Sequence, residues 1–133
     1  MRPIKFRARR LSDGKWCTGD LVVGKDAAYI ISGWPLEAEK LSMLMGTYSL
    51  RVEGQINVCD LKTVGQYTGL KDKNGVKIYE GDVLLYAAET KSAEVKWEID
   101  RWSVNSIPLH FVAHDSEVIG NIYDNPELLD QAA

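Results

Sequence analysis

"YTGLKDKNGVKIYEGDVLLY", residues 67–86, is the stretch on which the fold turns. Asp72, Lys73, Asn74 and Gly75 stand in its middle, Gly81-Asp82 follows, and aromatics lie on both sides. Such a run can be a calcium loop, a phosphate cradle or the bend of a hairpin. A calcium loop of the helix-loop-helix type needs oxygen ligands at positions one, three, five and twelve, with Gly at six and Glu at twelve. Counting from Asp72 puts Lys77 at six and Val83 at twelve, and placing Gly75 at six puts Leu70 at one and Gly81 at twelve. Neither register coordinates the ion. A phosphate loop fails as well: Gly69 and Gly75 lack the Gly-Lys-Ser/Thr ending, and no amphipathic helix follows to aim its N-terminus at an anion. A hairpin remains, with Tyr67 to Leu70 going out, Asp72 to Gly75 turning and Lys77 to Glu80 coming back. Asn74-Gly75 supplies the residues that accept positive φ in a tight turn. Gly81-Asp82 then bends the chain into the apolar strand "VLLY".

The flanking sequence is also strand-like. In "IKFRARR", Ile4, Phe6 and Ala8 alternate with Lys5, Arg7 and Arg9, the period of a half-buried strand. "SDGKW" reads as a turn on Asp13-Gly14, and "GDLVVG" with "AAYIIS" as a second hairpin. "WPLEAEKLSMLMG" differs in kind: Pro35, the early glutamates and Gly46 predict a short helix near residues 35–45. "TYSLRV" and "QINV" return to strand spacing. "AEVKWEI" sets Val95, Trp97 and Ile99 against Glu94, Lys96 and Glu98. "EVIGNIY" is a further strand in which Gly120 marks a bulge or a close backbone contact. "DNPELL" starts a helical turn with Asn125 as its cap, and "AAETKSA" suits a loop tip. "DGKWCTGDLVV" and "NGVKIYEGDVLL" echo one another and read as two similar hairpins.

Bulk properties bound the class. A chain of 133 residues with 45% hydrophobic content builds one domain with a real core. A formal net charge of -3 exerts no overall pull toward nucleic acid or anionic membrane. Cys17 and Cys59 make no disulfide framework, which suits a reducing cytoplasm. "MRPIKFRARR" carries charge with no apolar run behind it, so neither a signal peptide nor a membrane span is expected.

Three blocks carry a resemblance: "KFRAR" at 5–9, "VGQYTGLKDKNGVKIYEGDVL" at 64–84 and "EVIGNIYDNPELL" at 117–129. In this order they resemble the YopX-like family of phage and prophage proteins, with a departure at Arg9, where the family often has Trp. The resemblance implies a mostly β fold and a home in temperate-phage genomes. It carries no established activity and so no catalytic residues.

Candidate chemistry is sparse. His110 and His114 are the only histidines, and on a helix their spacing can chelate one metal. "PLHFVAH" alternates like a strand, which would hold them about 13 Å apart, so no metal site is expected. Cys17 and Cys59 have no local base and read as buried structural residues. The carboxylates of "EGD" (80–82) and "EID" (98–100) read as turn and solvent-face charges. The basic cluster is the strongest surface feature, because Arg2, Lys5, Arg7, Arg9 and Arg10 are five of the 16 Lys and Arg. Arg7, Arg9 and Arg10 with Lys71 and Lys73 outline a macromolecule-binding surface, with Tyr67, Tyr79 and Trp102 available for base stacking. The C-terminal end is acidic (Asp115, Glu117, Asp124, Glu127 and Asp130), so the ends can also pair within one fold or across a homo-oligomer.

The expectation is a mainly β, single domain over 1–133, with an N-terminal β portion over about 1–62 and a barrel-like or SH3-like antiparallel portion over about 63–133. A short helix and a C-terminal helical turn complete it. The expected function is a non-enzymatic accessory protein of the bacterial cytoplasm, without cofactor, that binds a host or phage protein. Nucleic-acid binding through the basic strand is the alternative, and an enzyme of unknown type is the third. The nucleic-acid reading predicts a log–log salt slope of about 0.9 per duplex phosphate contacted, lost in the Arg7→Ala/Arg9→Ala double variant. Titration of a fluorescent duplex at several salt concentrations checks it, and a flat response sinks it.

Overall fold

The computed structural model describes residues 4–32, 56–86, 91–98 and 100–130. The helix expected near 35–45 and the "TYSLRV" strand lie outside the described residues. The chain divides into two units, Lys5–Val64 and Met1–Ile4 with Gly65–Ala133.

The first unit is an antiparallel meander of β1 (Phe6–Arg9), β2 (Trp16–Val23), β3 (Ala28–Ile31) and β4 (Ile56–Cys59). The period of two in β1 leaves Ala8 fully buried, with Arg7 and Arg9 on the other face. The turn into β2 is closed by Arg10 N–H donating to the Lys15 carbonyl at 2.8 Å, with Gly14 at φ 73°. At Gly19 the backbone of Ile31 passes so close that a Cβ would collide with its carbonyl oxygen. The end of β4 returns against the end of β1: Leu11 N–H donates to Val58 O at 2.9 Å and Asp60 N–H to Arg9 O at 2.8 Å. The sheet therefore curls around a small core of Ala8, Ala28, Ile30 and Cys59, with Phe6, Cys17, Leu21 and Val64 packed against it.

The second unit opens with the hairpin of β5 (Gly65–Lys71) and β6 (Lys77–Tyr79), in which Tyr67 faces Tyr79 and Lys71 faces Lys77. The hairpin reading of 67–86 is borne out with one correction. Of the Asn74-Gly75 pair only Gly75 takes positive φ, at 80°, because the turn closes from Gly75 N–H to Asp72 O and leaves Asn74 in ordinary backbone. After the Gly81-Asp82 bend come β7 (Asp82–Tyr86), β8 (Lys91–Glu98), β9 (Arg101–Val104), β10 (Ile107–Pro108) and β11 (Glu117–Asn121). They form one antiparallel sheet in the order β10-β9-β8-β7-β11. Lys91 to Ala93 of the expected loop tip belong to β8, whose ladder with β7 begins at the Tyr86–Lys91 pair.

"PLHFVAH" is corrected from strand to helix: α1 spans Leu109–Val112, and a 3-10 turn continues it over Ala113–Asp115. Its apolar residues satisfy both periods. What decides is burial, since Leu109, Val112 and Ala113 at helical spacing pack into the core while Phe111 is 68% exposed. The core comprises Ile78, Leu84, Tyr86, Val95, Val104, Leu109 and Ala113. Gly120 marks the expected bulge, and the group that crowds it is the Asn125 side chain instead of another backbone. The β7–β11 register slips between Val118 and Gly120, and a Cβ at Gly120 would come within 2.5 Å of Asn125 Oδ1. The C-terminal turn is α2 (Glu127–Asp130), but the Asn125 side chain accepts from Asn121 N–H instead of capping it. The architecture is mainly β and antiparallel, with short helical turns, as expected.

One carboxylate joins the hairpin to the sheet. Asp72, 6% exposed, accepts from Asn74 N–H and Val76 N–H through Oδ1 and from Val118 N–H through Oδ2, at 2.8–2.9 Å. Burial pushes its pKa up, but the three N–H groups outweigh burial and hold it below the ordinary carboxylate value. A depressed pKa stabilises the fold above the unfolded value near 4, and that contribution is lost as pH falls through the folded value. Asp72→Asn keeps an oxygen for the turn and sets an amide against Val118 N–H. It should therefore cost about 2 kcal/mol, with faster hydrogen exchange at Val118 than at Val76, and acid unfolding should become less steep. Equal exchange at both amides would refute the division of labour between the two oxygens.

Candidate functional site

The β8–β9 hairpin carries an aromatic pair. Trp97 and Trp102 face each other in register, with ring centroids 5.0 Å apart and planes at 77°, the edge-to-face arrangement aromatic quadrupoles favour. Trp102 is half-buried against the core, whereas Trp97 remains 53% exposed. The alternation of "AEVKWEI" is correct in register, yet only Val95 of its described apolar face is buried, because Trp97 stands where the hairpin runs past the core.

A cleft of about 290 Å³ opens beside this pair. Thr68 and Leu109 are buried at its base, and Leu70 and Trp102 are half-buried within it. Trp97, Asp100, Arg101 and His110 are exposed at its mouth. The Thr68 hydroxyl is fully engaged, donating to Ile78 O at 2.7 Å and accepting from Leu70 N–H at 3.2 Å. The Asp100 carboxylate accepts from Arg101 Nε at 3.0 Å. The cleft therefore offers apolar and aromatic walls with a neutral ion pair at its rim. His110 leads outward to Phe111, their rings 4.3 Å apart. The arrangement suits apolar or aromatic side chains, and it holds no nucleophile paired with a base.

The basic positions are divided between the units. Arg7 and Arg9 of β1 both lie over the indole of Trp16, at 4.8 and 5.4 Å from its centroid, and neither is without further partners. Arg10 donates to both carboxylate oxygens of Asp13, at 3.0 and 2.7 Å, and to Asn57 Oδ1 at 3.0 Å. That hydrogen bonding, with the Lys15 N–H and the guanidinium charge, holds the Asp13 carboxyl down at about 2. Lys71 and Lys73 are exposed on the second unit. Tyr67 and Tyr79 are not available for stacking bases: both are buried, 5.5 Å apart, with Lys77 Nζ over the Tyr67 ring.

Asp82 is buried and accepts from Tyr79 N–H at 2.8 Å, so the Gly-Asp bend is structural. Glu98 accepts from the Ser103 hydroxyl at 2.9 Å. Glu94, overlooked as a surface charge, is half-buried in β8, and burial, with Glu80 nearby, lifts its carboxyl above the ordinary value. His110 and His114 are exposed on the helical segment, so no extended strand separates them. Among the described residues no three or more His, Cys, Asp or Glu gather as a metal site. No described helix is long and apolar enough to cross a membrane. The cleft escaped the sequence reading because Leu70, Trp97 and His110 are far apart in the chain. A tryptophan near the end of an alternating strand was the available signal.

Comparison with known proteins gives two findings. The family model described as YopX protein matches residues 5–130. Among solved structures, protein EF1440 from Enterococcus faecalis is similar, with 26% identity and a TM-score of 0.56 over 97% of this chain and 99% of that one. No curated protein matches. If Trp97 is present for contact instead of stability, Trp97→Ala should cost only about 1 kcal/mol, the worth of an aromatic pair. Leu109→Ala, at a buried core position, should cost about 3 kcal/mol. Urea denaturation of both variants measures this, and equal losses would make Trp97 a structural residue.

Proposed function

The chain belongs to the YopX family, and from that premise we propose that it is a phage or prophage accessory protein that binds a host or phage protein without catalysis. The observation that carries this reading is the cleft lined by Trp97, Trp102 and His110, with Trp97 53% exposed, and Phe111, 68% exposed, packed against His110. Aromatic side chains dominate binding energy at protein interfaces, since they bury a large area while ordering few torsions. A monomer gains little by leaving two of them in water. The cleft's rim is neutral, which favours an apolar peptide segment over a phosphate backbone. The proposed place of action is the cytoplasm of the bacterial host.

Nucleic-acid binding through Arg7, Arg9, Arg10, Lys71 and Lys73 is the second reading. It is supported by the two guanidinium groups stacked on Trp16, since the same cations can meet phosphates along a strand. It is weakened by the engagement of Arg10 with Asp13 and by the burial of Tyr67 and Tyr79.

The immobilised chain, exposed to bacterial lysate with and without nuclease, separates the two. A captured protein that survives nuclease is expected, and it should fall at least tenfold in yield with the Trp97→Ala/Phe111→Ala variant. The Arg7→Ala/Arg9→Ala variant should capture it normally. Capture abolished by nuclease and by the arginine variant would transfer the function to nucleic acid. Turnover of a phosphoester or nucleotide that depends on a residue of this chain would defeat the non-catalytic reading.

A further inference from the structure

Cys17 and Cys59 lie 42 positions apart in the sequence, yet they share one core. Cys17 packs against the cluster that Cys59 forms with Ala8, Ala28 and Ile30. Their strand partners are small: Cys17 faces Ala8 across β1–β2, and Cys59 faces Ala28 across β3–β4. Two methyl groups where larger side chains would stand leave the sulfur atoms room to approach. Cys17 is near enough to act on the Cys59 thiol, whose own hydrogen bond goes to Asn57 O at 3.5 Å. The return of β4 against the end of β1, through the Arg10–Cys59 bridge, brings them together.

We propose that Cys17 and Cys59 are a redox-modification site, in which hydrogen peroxide converts the two thiols to an intramolecular disulfide that ties β2 to β4 inside the first unit.

The two sulfurs have different roles. Cys17 is half-buried and Cys59 fully buried, so peroxide reaches Cys17 first. Burial also pushes the Cys59 thiol up to about 11, which keeps it protonated and poorly nucleophilic toward an oxidant from solution. In the first step the Cys17 sulfur attacks one peroxide oxygen and the O–O bond breaks. The products are a Cys17 sulfenic acid and one water. In the second step the Cys59 sulfur attacks the sulfenic sulfur and the S–O bond breaks. The hydroxide that leaves takes the Cys59 proton, giving the second water. Two thiols lose two electrons and one peroxide gains them. A resolving thiol held in the same core is what allows a weak nucleophile to meet the sulfenic acid before further oxidation.

The consequence is a covalent ring around the whole stretch from β2 to β4, which restricts the unfolded chain and should raise the unfolding midpoint by several degrees. Nothing in this depends on the aromatic cleft, so the test is independent of the proposed function.

The experiment treats the full native chain with hydrogen peroxide, quenches it in acid, unfolds it in N-ethylmaleimide and measures intact mass and digested peptides. The expected result is a monomer lighter by about 2 Da, the two hydrogens lost on forming a disulfide. It should contain a Cys17–Cys59 linked peptide and return to two alkylatable thiols with dithiothreitol. The Cys59→Ser variant should instead stop at Cys17 sulfenic acid or proceed to sulfinic acid. The proposal is overturned if wild type gains oxygen at Cys17 without a crosslink, if Cys17 links two chains, or if both thiols are recovered alkylated. These readouts come from wild type, so a variant that fails to fold leaves the conclusion standing.

Discussion

Three backbone N–H groups converge on one buried carboxylate, and the second unit is organised by that convergence. Asp72 sits where β5 ends, and its Oδ1 takes both N–H groups that the tight turn leaves inside. Left unpaired, each would carry a desolvation penalty of roughly 1–3 kcal/mol. Its Oδ2 reaches 46 residues on to Val118, and the adjacent Lys73 N–H reaches Ser116 O at 3.0 Å. The same side chain thus forms the turn and fixes where β11 begins. Once β11 is fixed against β7, Leu84 and Tyr86 face the core, and the short helix of Leu109 and Ala113 covers it. Asp82 repeats the device on a smaller scale, turning its carboxylate onto Tyr79 N–H to hold the bend into β7.

Those two aspartates show what was legible in the sequence. Asp-Lys-Asn-Gly and Gly-Asp identify turns because their residues relieve backbone strain locally, and local chemistry is visible in a short string. Alternation likewise gave β1, the β2–β3 hairpin, β8 and β11, with Gly120 at its bulge. What was hidden was the reach of Asp72 to Val118, since nothing in a sequence says which distant N–H lacks an acceptor. The "PLHFVAH" segment was misread for a related reason. Leu109 and Ala113 fit periods of two and of four equally, and only the position of the core excludes Phe111. The turn at Asn105-Ser106 also went unseen, because both residues take positive φ, 51° and 65°, without the glycine that normally announces it. The Asn105 amide donates to the Tyr86 hydroxyl at 3.1 Å, a tertiary contact that helps hold this costly backbone.

The basic strand shows how charge in a sequence overstates charge at a surface. Five cations near one end read as an electrostatic footprint. In the fold Lys5 lies 3.8 Å from Asp20, Arg10 is paired with Asp13, and Arg7 and Arg9 rest on Trp16. Each of these contacts favours the cation where it is, so recruitment to a phosphate backbone must first break it. Partly exposed pairs are individually weak, of the order of 1 kcal/mol or less; the aspartates offset the charge of Lys5 and Arg10, whereas the neutral indole under Arg7 and Arg9 offsets none.

Exposed apolar surface is a different signal, and residue type decides what it signifies. The first unit curls around a core built largely of alanine and cysteine, and large aliphatic residues are left outside: Leu11, Val22, Val23 and Val58 are 44–62% exposed. Val22, Tyr29 and Val58 form one cross-strand row, so this part of the outer face lacks the polar residues that usually alternate with a buried set, although Asp20 shares the face two positions along β2. Branched aliphatics on a sheet are explained by the backbone they favour, since valine suits a pleated strand whether or not anything covers it. Tryptophan also suits a strand, but Trp97 near the end of its hairpin leaves half of a much larger apolar side chain in water. Trp102 alone reaches the core, and the edge-to-face contact is worth about 1 kcal/mol, well below what a buried indole contributes. Aliphatic residues are also uncommon among the side chains that dominate binding, and tryptophan is the most enriched. The larger aliphatic face is therefore the weaker candidate for an interface, and the small cleft beside Trp97 the stronger one.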